Sequence, residues 1–177
     1  VHNAIVWQDR RTVEICNNLH ERKLDKAIQE ITGLVVDPYF SATKIKWILD
    51  NNSDARRLVK EKNLLFGTID TWLLWNLTEK ASHLTDITNA SRTMLFDLKK
   101  EEWSLDLLKI LDIPKEILPK VVENTFNFGN TKLFGSSVPI CGMAGDQQSS
   151  AIGQACFEKS EVKSTYGTGC FLLMNIG

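Results

Sequence analysis

The chain has 177 residues, of which 43% are hydrophobic and 24% charged, and its formal net charge is −1. A balance so close to neutral gives no broad attraction to nucleic acid or to an anionic membrane surface. No apolar run approaches the roughly 20 residues of a membrane-spanning helix. No basic and then apolar signal opens the chain, so we expect a cytoplasmic globular protein.

The cysteines and histidines do not support a metal site. No two of the four cysteines are spaced as C-x-x-C, and the three histidines lie far from one another in sequence. Zinc sites of the common kinds need such clustered ligands. We therefore expect reduced, partly buried thiols.

The first third of the chain predicts one strand followed by short helices. The strand covers 4–8, and the helices cover about 10–19, 24–32, 41–50 and 54–62. Asp9 and Ser41 stand where the first and third helices would be capped. Gly33 follows the second helix and suits the left-handed position that ends many helices.

The middle of the chain predicts further short elements separated by two loops. A short strand over 64–67 leads to a helix over 71–77, which is rich in Trp and Leu, so we expect it to be well buried. Ser104 is placed to cap another helix. The segments 82–97 and 123–137 predict loops.

The loop over 82–97 is rich in Thr, Ser and Asn, and it crowds together Asp86, Asn89, Ser91 and Arg92. Such a loop usually satisfies its own backbone with its side chains. The same polar groups could also line a cleft, and the residues alone leave both interpretations open.

The segment 138–154 predicts a short buried strand, a glycine-rich turn and a helix, with Asp146 at the turn. Ligands in open α/β sheets bind beyond the carboxyl ends of the strands. Asp146 could cap the helix, which is the commoner role at this position, or it could take a proton from a bound substrate.

The end of the chain predicts a β-hairpin with strands over 161–166 and 170–175. Its tip is Gly167, Thr168 and Gly169. Such a tip can present several backbone N–H groups to a phosphate. An ordinary turn is the commoner explanation of a short Gly-x-Gly sequence.

Five segments together resemble signature segments of the FGGY family of carbohydrate kinases, and they follow in the same order. They are residues 39–51, 66–75, 85–95, 145–148 and 165–171. Each one alone would be weak, but agreement among several long and unlike motifs is a strong indication. The resemblance covers essentially all 177 residues.

The resemblance implies an α/β, ribonuclease H-like fold of the actin/hexokinase/Hsp70 type, with ligands in the cleft between two lobes. Residues 1–156 would be the later part of the N-terminal lobe, and 157–177 the opening hairpin of a truncated C-terminal lobe. The chain has no initiator Met and stops just after a strand-like run. We therefore expect an internal fragment that lacks an upstream phosphate loop and the adenosine-binding region.

The resemblance is to the glycerol-phosphorylating members in particular. It implies transfer of the ATP γ-phosphoryl group to a primary hydroxyl of glycerol, with Mg²⁺ entering with the nucleotide. Asp146 would be the catalytic base, and no metal ligand is assigned. The resemblance assigns substrate contacts to Trp7, Tyr39, Asp146, Gln147 and Phe171, and nucleotide contacts to Gly167, Thr168 and Gly169. From the residues alone, Trp7 and Phe171 would be assigned to core packing.

Two other functions stay open: a kinase for another polyol or sugar of the family, and a non-catalytic binding or assembly module. Trp7, Tyr39 and Phe171 favour glycerol, because a larger sugar needs a roomier wall. The intact Asp146 and hairpin tip argue against a purely structural role. A fragment of a sheet exposes edges and apolar surface, so we expect self-association into a homo-oligomer and no activity of the fragment alone.

Overall fold

The computed structural model describes residues 2–177. Its helices are α1 (Val13–Glu21), α2 (Asp25–Thr32), α3 (Ser41–Asn51), α4 (Ala55–Lys60), α5 (Ile69–Leu77), α6 (Ile87–Ala90), α7 (Leu105–Leu111) and α8 (Asp146–Gly153), with a 3₁₀ turn at Lys115–Ile117. Its strands are β1 (Leu84–Asp86), β2 (Phe96–Asp97), β3 (Glu102–Trp103), β4 (Lys120–Val122), β5 (Thr125–Thr131), β6 (Val138–Gly142), β7 (Val162–Tyr166) and β8 (Cys170–Met174). This mixture of helices and strands agrees with the predicted α/β class.

The strands of the described residues pair two by two. β1 lies parallel to β4, with Asp86 opposite Val122, and the connection between them carries α6, β2, β3 and α7. Parallel strands need a crossover of about a dozen residues or more, because the chain must return from the end of one strand to the start of the other. The pairs β2–β3, β5–β6 and β7–β8 are antiparallel.

The buried apolar side chains form two clusters. The larger one joins α1–α4 to α7 and to the chain around β2, and it includes Leu19, Ile45, Phe96 and Leu107. The smaller one lies between α5 and the β5–β6 pair and contains Leu74, Val122 and Phe128. This smaller cluster supports β6, the strand that leads into the turn at Asp146.

Several local predictions are confirmed. α2 ends at Gly33, whose φ of 70° is left-handed and therefore favours glycine. Ser104 caps α7, because its hydroxyl accepts a hydrogen bond from the Leu107 amide at 3.4 Å. The final hairpin forms as predicted, with Tyr166 paired to Cys170 across its tip.

The strand predicted over 4–8 is wrong. The chain turns there instead, because the Val6 carbonyl accepts hydrogen bonds from the Asp9 amide at 3.1 Å and from the Lys44 ammonium at 2.9 Å. The cap predicted at Asp9 is wrong, because its carboxylate accepts hydrogen bonds from the Arg11 amide and guanidinium. The helix α1 begins later, at Val13. The cap predicted at Ser41 is also wrong, since Ser41 is the first residue of α3 and makes no cap hydrogen bond.

Four predictions in the middle of the chain are corrected. The segment 64–67 is irregular, although the Phe66 amide bonds the Ile117 carbonyl at 2.7 Å. α5 forms but is buried along one side, so that Trp72 remains 57% exposed. The segment 123–137 is not a surface loop, because it contains β5 and carries Phe128 into the smaller cluster. The predicted loop over 82–97 contains β1, α6 and β2.

Candidate functional site

A cavity of about 400 Å³ lies between the start of α8, the strand β8 and the chain before α3. Its lining consists of Tyr39, Asn89, Arg92, residues 145–148 and residues 171–174. Four of the predicted substrate residues therefore line one cavity: Tyr39, Asp146, Gln147 and Phe171. A second cavity of about 310 Å³, beside Trp103 and Lys120, contains none of the predicted site residues.

Trp7 packs against two aromatic rings that line this cavity, and the rings of Trp7, Tyr39 and Phe171 are called the aromatic wall below. Its ring centroid lies 5.6 Å from that of Tyr39 and 6.1 Å from that of Phe171, the latter edge-on. Aromatic pairs at these separations attract one another beyond the effect of burial. Trp7 is 41% exposed, so the core-packing interpretation does not describe it. The three rings meet from three separate segments of the chain.

The hairpin tip lies against this wall. A Cβ atom at Gly169 would stand 2.7 Å from the Phe171 ring and 3.4 Å from the Trp7 ring. A side chain at position 169 would therefore displace the ring of Phe171. The Gly167 amide donates to the Gly169 carbonyl at 3.0 Å, and Thr168 is exposed at the tip. The nucleotide contacts assigned to these three residues stay a prediction.

Lys44 fixes two parts of the aromatic wall, and the sequence interpretation missed it. Its ammonium is buried and donates to the carbonyl oxygens of Val6, at 2.9 Å, and of Tyr39, at 3.1 Å. Burial lowers the pKa of Lys44, while the negative charges of Asp9 and Asp37 act in the opposite direction. The signal in the sequence was a lysine within one turn of the apolar stripe formed by Ile45, Ile48 and Leu49.

Asp146 does not cap α8. The N-cap residue is Gly145, and the helix has no side-chain cap hydrogen bond, so the cap interpretation of Asp146 is wrong. The carboxylate is exposed to the cavity and accepts a hydrogen bond from Gln147 Nε2 at 3.2 Å. A negative charge in the first turn of a helix is favoured by the helix dipole. The geometry leaves this carboxylate available to a ligand.

A buried lysine orients the neighbouring glutamine. Lys163 in β7 is 1% exposed, and its ammonium donates to Gln147 Oε1 and, at 2.9 Å, to Thr165 Oγ1. Because the ammonium can only donate, it bonds the amide oxygen of Gln147. The amide nitrogen of Gln147 therefore points toward Asp146. This contact also ties the final hairpin to α8.

Asn89 and Arg92 are further cavity residues that the sequence interpretation did not assign. The Arg92 guanidinium lies over the Phe40 ring, 5.2 Å from its centroid. The polar crowding in the segment 82–97 was the available signal, and it did not distinguish a cleft wall from a self-satisfied loop. These two residues face the cavity from α6 and the turn after it.

Within residues 2–177, no three His, Cys, Asp or Glu side chains come together as a group that could hold a metal ion. The cysteines are unpaired, and burial raises the pKa of the Cys16 thiol to about 11. No helix in the described part of the chain is both long enough and apolar enough to cross a membrane.

The sequence matches a described protein family over most of its length. Residues 1–153 match the N-terminal domain of the FGGY family of carbohydrate kinases. A Clostridium botulinum protein described as a glycerol kinase is 59% identical over 179 aligned positions, which include all of this chain and 36% of that protein. A Halorhodospira halophila glycerol kinase is 56% identical, with the same coverage. The chain thus spans about a third of these relatives.

Solved structures give the same result for the fold. The Plasmodium falciparum glycerol kinase with ADP superposes with a TM-score of 0.92 at 40% identity, over 98% of this chain and 35% of that one. A ligand-bound xylulose kinase from Lactobacillus acidophilus has a TM-score of 0.83 at 26% identity, over 97% of this chain and 35% of that one. The predicted fold class, a partial α/β lobe of the ribonuclease H-like type, is confirmed.

Proposed function

The chain belongs to the FGGY family of carbohydrate kinases, and we propose that it supplies the substrate pocket of a kinase that converts glycerol to glycerol 3-phosphate with ATP. The observation that carries the proposal is the 400 Å³ cavity, where the Asp146 carboxylate faces a compact aromatic wall. Glycerol offers three hydroxyl groups and a small hydrocarbon edge. Those two kinds of surface match the polar and the aromatic side of the cavity.

The proposed chemistry assigns one proton transfer to Asp146. Phosphoryl transfer depends on positioning and on charge neutralisation more than on covalent catalysis. Asp146 accepts the proton of the attacking hydroxyl and holds its oxygen in line with the γ-phosphorus atom. Gln147, held by Lys163, hydrogen-bonds a second hydroxyl. The rings of Trp7, Tyr39 and Phe171 pack against the carbon atoms, and the Tyr39 hydroxyl adds a polar contact.

The nucleotide is proposed to bind beside the hairpin tip, with Gly167, Thr168 and Gly169 next to its phosphates. The solved Plasmodium falciparum relative carries ADP, and that supports ATP as the phosphoryl donor. Bound Mg²⁺ would neutralise charge on the phosphate oxygens. Among the residues that line the cavity, Asp146 is the single carboxylate. This composition fits a Mg²⁺ ion that is held mainly by phosphate oxygens and water.

The lobe boundary stays as first predicted. Residues 1–156 are proposed to form the later part of the first lobe, and 157–177 the opening hairpin of the second. The match to the N-terminal domain ends at residue 153, near this boundary, and that supports the division. In the same proposal the full-length kinase is cytoplasmic and self-associates.

The test is a substrate screen of the full-length kinase that carries this segment. We expect kcat/KM for glycerol to exceed that for a pentulose by at least about 10²-fold, because the aromatic wall offers few hydrogen-bond partners to the extra hydroxyl groups of a longer sugar. The competing candidate is a sugar kinase, since xylulose and gluconate kinases share the fold, each at 26% identity and TM-score 0.83. Faster phosphorylation of D-xylulose than of glycerol would establish that candidate instead.

The 177-residue chain alone is the control for this screen, and we expect it to show no ATP-dependent phosphorylation of glycerol. The reason is that phosphoryl transfer needs groups from both sides of the nucleotide, and this segment supplies one side. Turnover by the isolated chain, lost in Asp146→Asn, would contradict the two-lobe arrangement. Absence of turnover on every polyol in the full-length kinase would favour a non-catalytic module.

Replacing Lys44 by Met in the full-length kinase is expected to raise KM for glycerol about tenfold and to change kcat by less than about threefold. Met fills the space of the lysine stem but removes the ammonium donor from the Tyr39 carbonyl and leaves the Val6 carbonyl with the Asp9 amide alone. Trp7 and Tyr39 then lose their fixed separation, which weakens binding of the ground state and of the transition state equally.

Lys46→Met is the matched control, because Lys46 lies on the same helix and pairs with Asp50 near the surface at 2.7 Å. It is expected to leave both kinetic constants near wild type. An equal loss of kcat in the Lys44 variant, with KM unchanged, would assign Lys44 to the chemical step rather than to the wall.

A further inference from the structure

A buried carboxylate outside the cavity holds the turn that carries Asp146. Asp86, the last residue of β1, is 0% exposed and has no arginine or lysine partner among the contacts of the described residues. We propose that Asp86, Thr88 and Asn124 form a positioning group that fixes the backbone immediately before Asp146. This inference rests on the proposed role of Asp146 in catalysis.

Hydrogen-bond donors of three residues converge on Asp86. Its Oδ2 accepts from the Thr88 amide at 2.7 Å, from the Thr88 hydroxyl, and from Asn124 Nδ2 at 2.7 Å. Its Oδ1 accepts from Asn89 Nδ2 at 2.6 Å and from the Asn89 amide at 3.4 Å. Burying a carboxylate costs free energy unless hydrogen-bond donors replace the water that it loses, as they do here.

Two of these residues, Thr88 and Asn124, also form hydrogen bonds with the turn at residues 143–145. Thr88 Oγ1 accepts a hydrogen bond from the Gly145 amide at 2.8 Å. Asn124 Nδ2 donates to the Met143 carbonyl at 2.9 Å, and the Met143 amide donates to the Asn124 carbonyl at 3.0 Å. Hydrogen bonds therefore fix the backbone on both sides of Ala144. This fixed segment ends at Gly145, immediately before Asp146.

The charge of Asp86 sets the direction of these hydrogen bonds. A carboxylate can only accept, so the Thr88 hydroxyl proton points to Asp86 and a lone pair of its oxygen faces the Gly145 amide. Likewise one N–H of Asn124 goes to Asp86 and the other goes to the Met143 carbonyl. If Asp86 served only to cap α6, the amides of Thr88 and Asn89 would be sufficient.

The experiment compares Thr88→Val with Thr88→Ser in the full-length kinase. Valine keeps the shape but removes the hydroxyl, so we expect kcat to fall about tenfold while KM for glycerol stays within about twofold, because a misplaced catalytic group mainly slows the chemical step. Serine keeps the hydroxyl and is expected to restore most of kcat. In an Asp146→Asn background, Thr88→Val is expected to reduce the residual rate no further.

A second measurement does not depend on activity. Hydrogen–deuterium exchange over residues 143–146 is expected to be faster in Thr88→Val than in the wild type and in Thr88→Ser, because the Gly145 amide has lost its acceptor. The inference is overturned if either the exchange over residues 143–146 or the kcat of Thr88→Val matches the wild type, or if the Thr88→Val and Asp146→Asn losses multiply. If the wild-type kinase fails on glycerol, the proposed function falls, while unchanged exchange in Thr88→Val would overturn the positioning group separately.

Discussion

Asp146→Asn is expected to lower kcat of the full-length kinase by about 10²- to 10⁴-fold, the range that general-base catalysis supplies. Asparagine has the same size, but its amide cannot take the proton of the attacking hydroxyl. The fold should remain, because the Asp146 side chain makes no cap hydrogen bond and is exposed to the cavity. A coupled assay of glycerol phosphorylation measures the rate, and circular dichroism with a thermal melt measures the fold.

The control for this variant is Asp106→Asn. Asp106 is the acidic residue in the first turn of α7, as Asp146 is in α8, but it lies outside the cavity. Both substitutions remove the same favourable interaction with a helix dipole, worth about 0.3–1 kcal/mol. We expect normal turnover in the Asp106 variant. Turnover close to wild type in Asp146→Asn as well would return Asp146 to a purely local electrostatic role.

Phe128→Ala is expected to lower the free energy of unfolding of the chain by about 3–5 kcal/mol, the usual cost of removing a fully buried phenyl ring. Phe128 is 0% exposed and is the largest member of the smaller apolar cluster, which supports β6. With a urea m-value of about 2 kcal/mol/M, the unfolding midpoint would fall by roughly 2 M. Urea titration followed by circular dichroism measures this shift.

Phe126→Ala is the internal comparison. Phe126 lies two residues away on the same strand and touches Phe128, with 5.7 Å between ring centroids, but it is 40% exposed. We expect a loss of about 1 kcal/mol or less, because part of the ring is already in water. Equal losses in the two variants would contradict the burial of Phe128 and would support the surface loop that the sequence predicted.

The sequence was sufficient where the determining interactions are local. Gly33 ends α2 and Ser104 begins α7, because a left-handed residue and a side-chain cap act within one helical turn. The final hairpin was recognisable from the glycines at its tip, which select a tight turn. The family was recognisable too, because its signature segments are continuous stretches of sequence.

The sequence was misleading where burial depends on distant partners. The apolar run at 4–8 has the composition of a strand, yet the Val6 carbonyl bonds Lys44 and Asp9 instead. The helix α5 is as apolar as a core helix, although Trp72 lies on an exposed side. Neither result follows from periodicity, because periodicity defines the faces of an element and not what covers them.

The candidate site divides in the same way. The sequence by itself determined which residue types stand in the signature segments, including Asp146 and the aromatic residues Trp7, Tyr39 and Phe171. Only the tertiary structure decided that Tyr39 and Phe171 line one cavity with Trp7 packed against both rings, and that Asp146 is not a cap. It also decided that Lys44, Asp86 and Lys163 are buried with hydrogen-bond partners. Buried charged groups are stable only where several donors or acceptors from separate segments converge on them, and that convergence arises from packing over long distances in sequence.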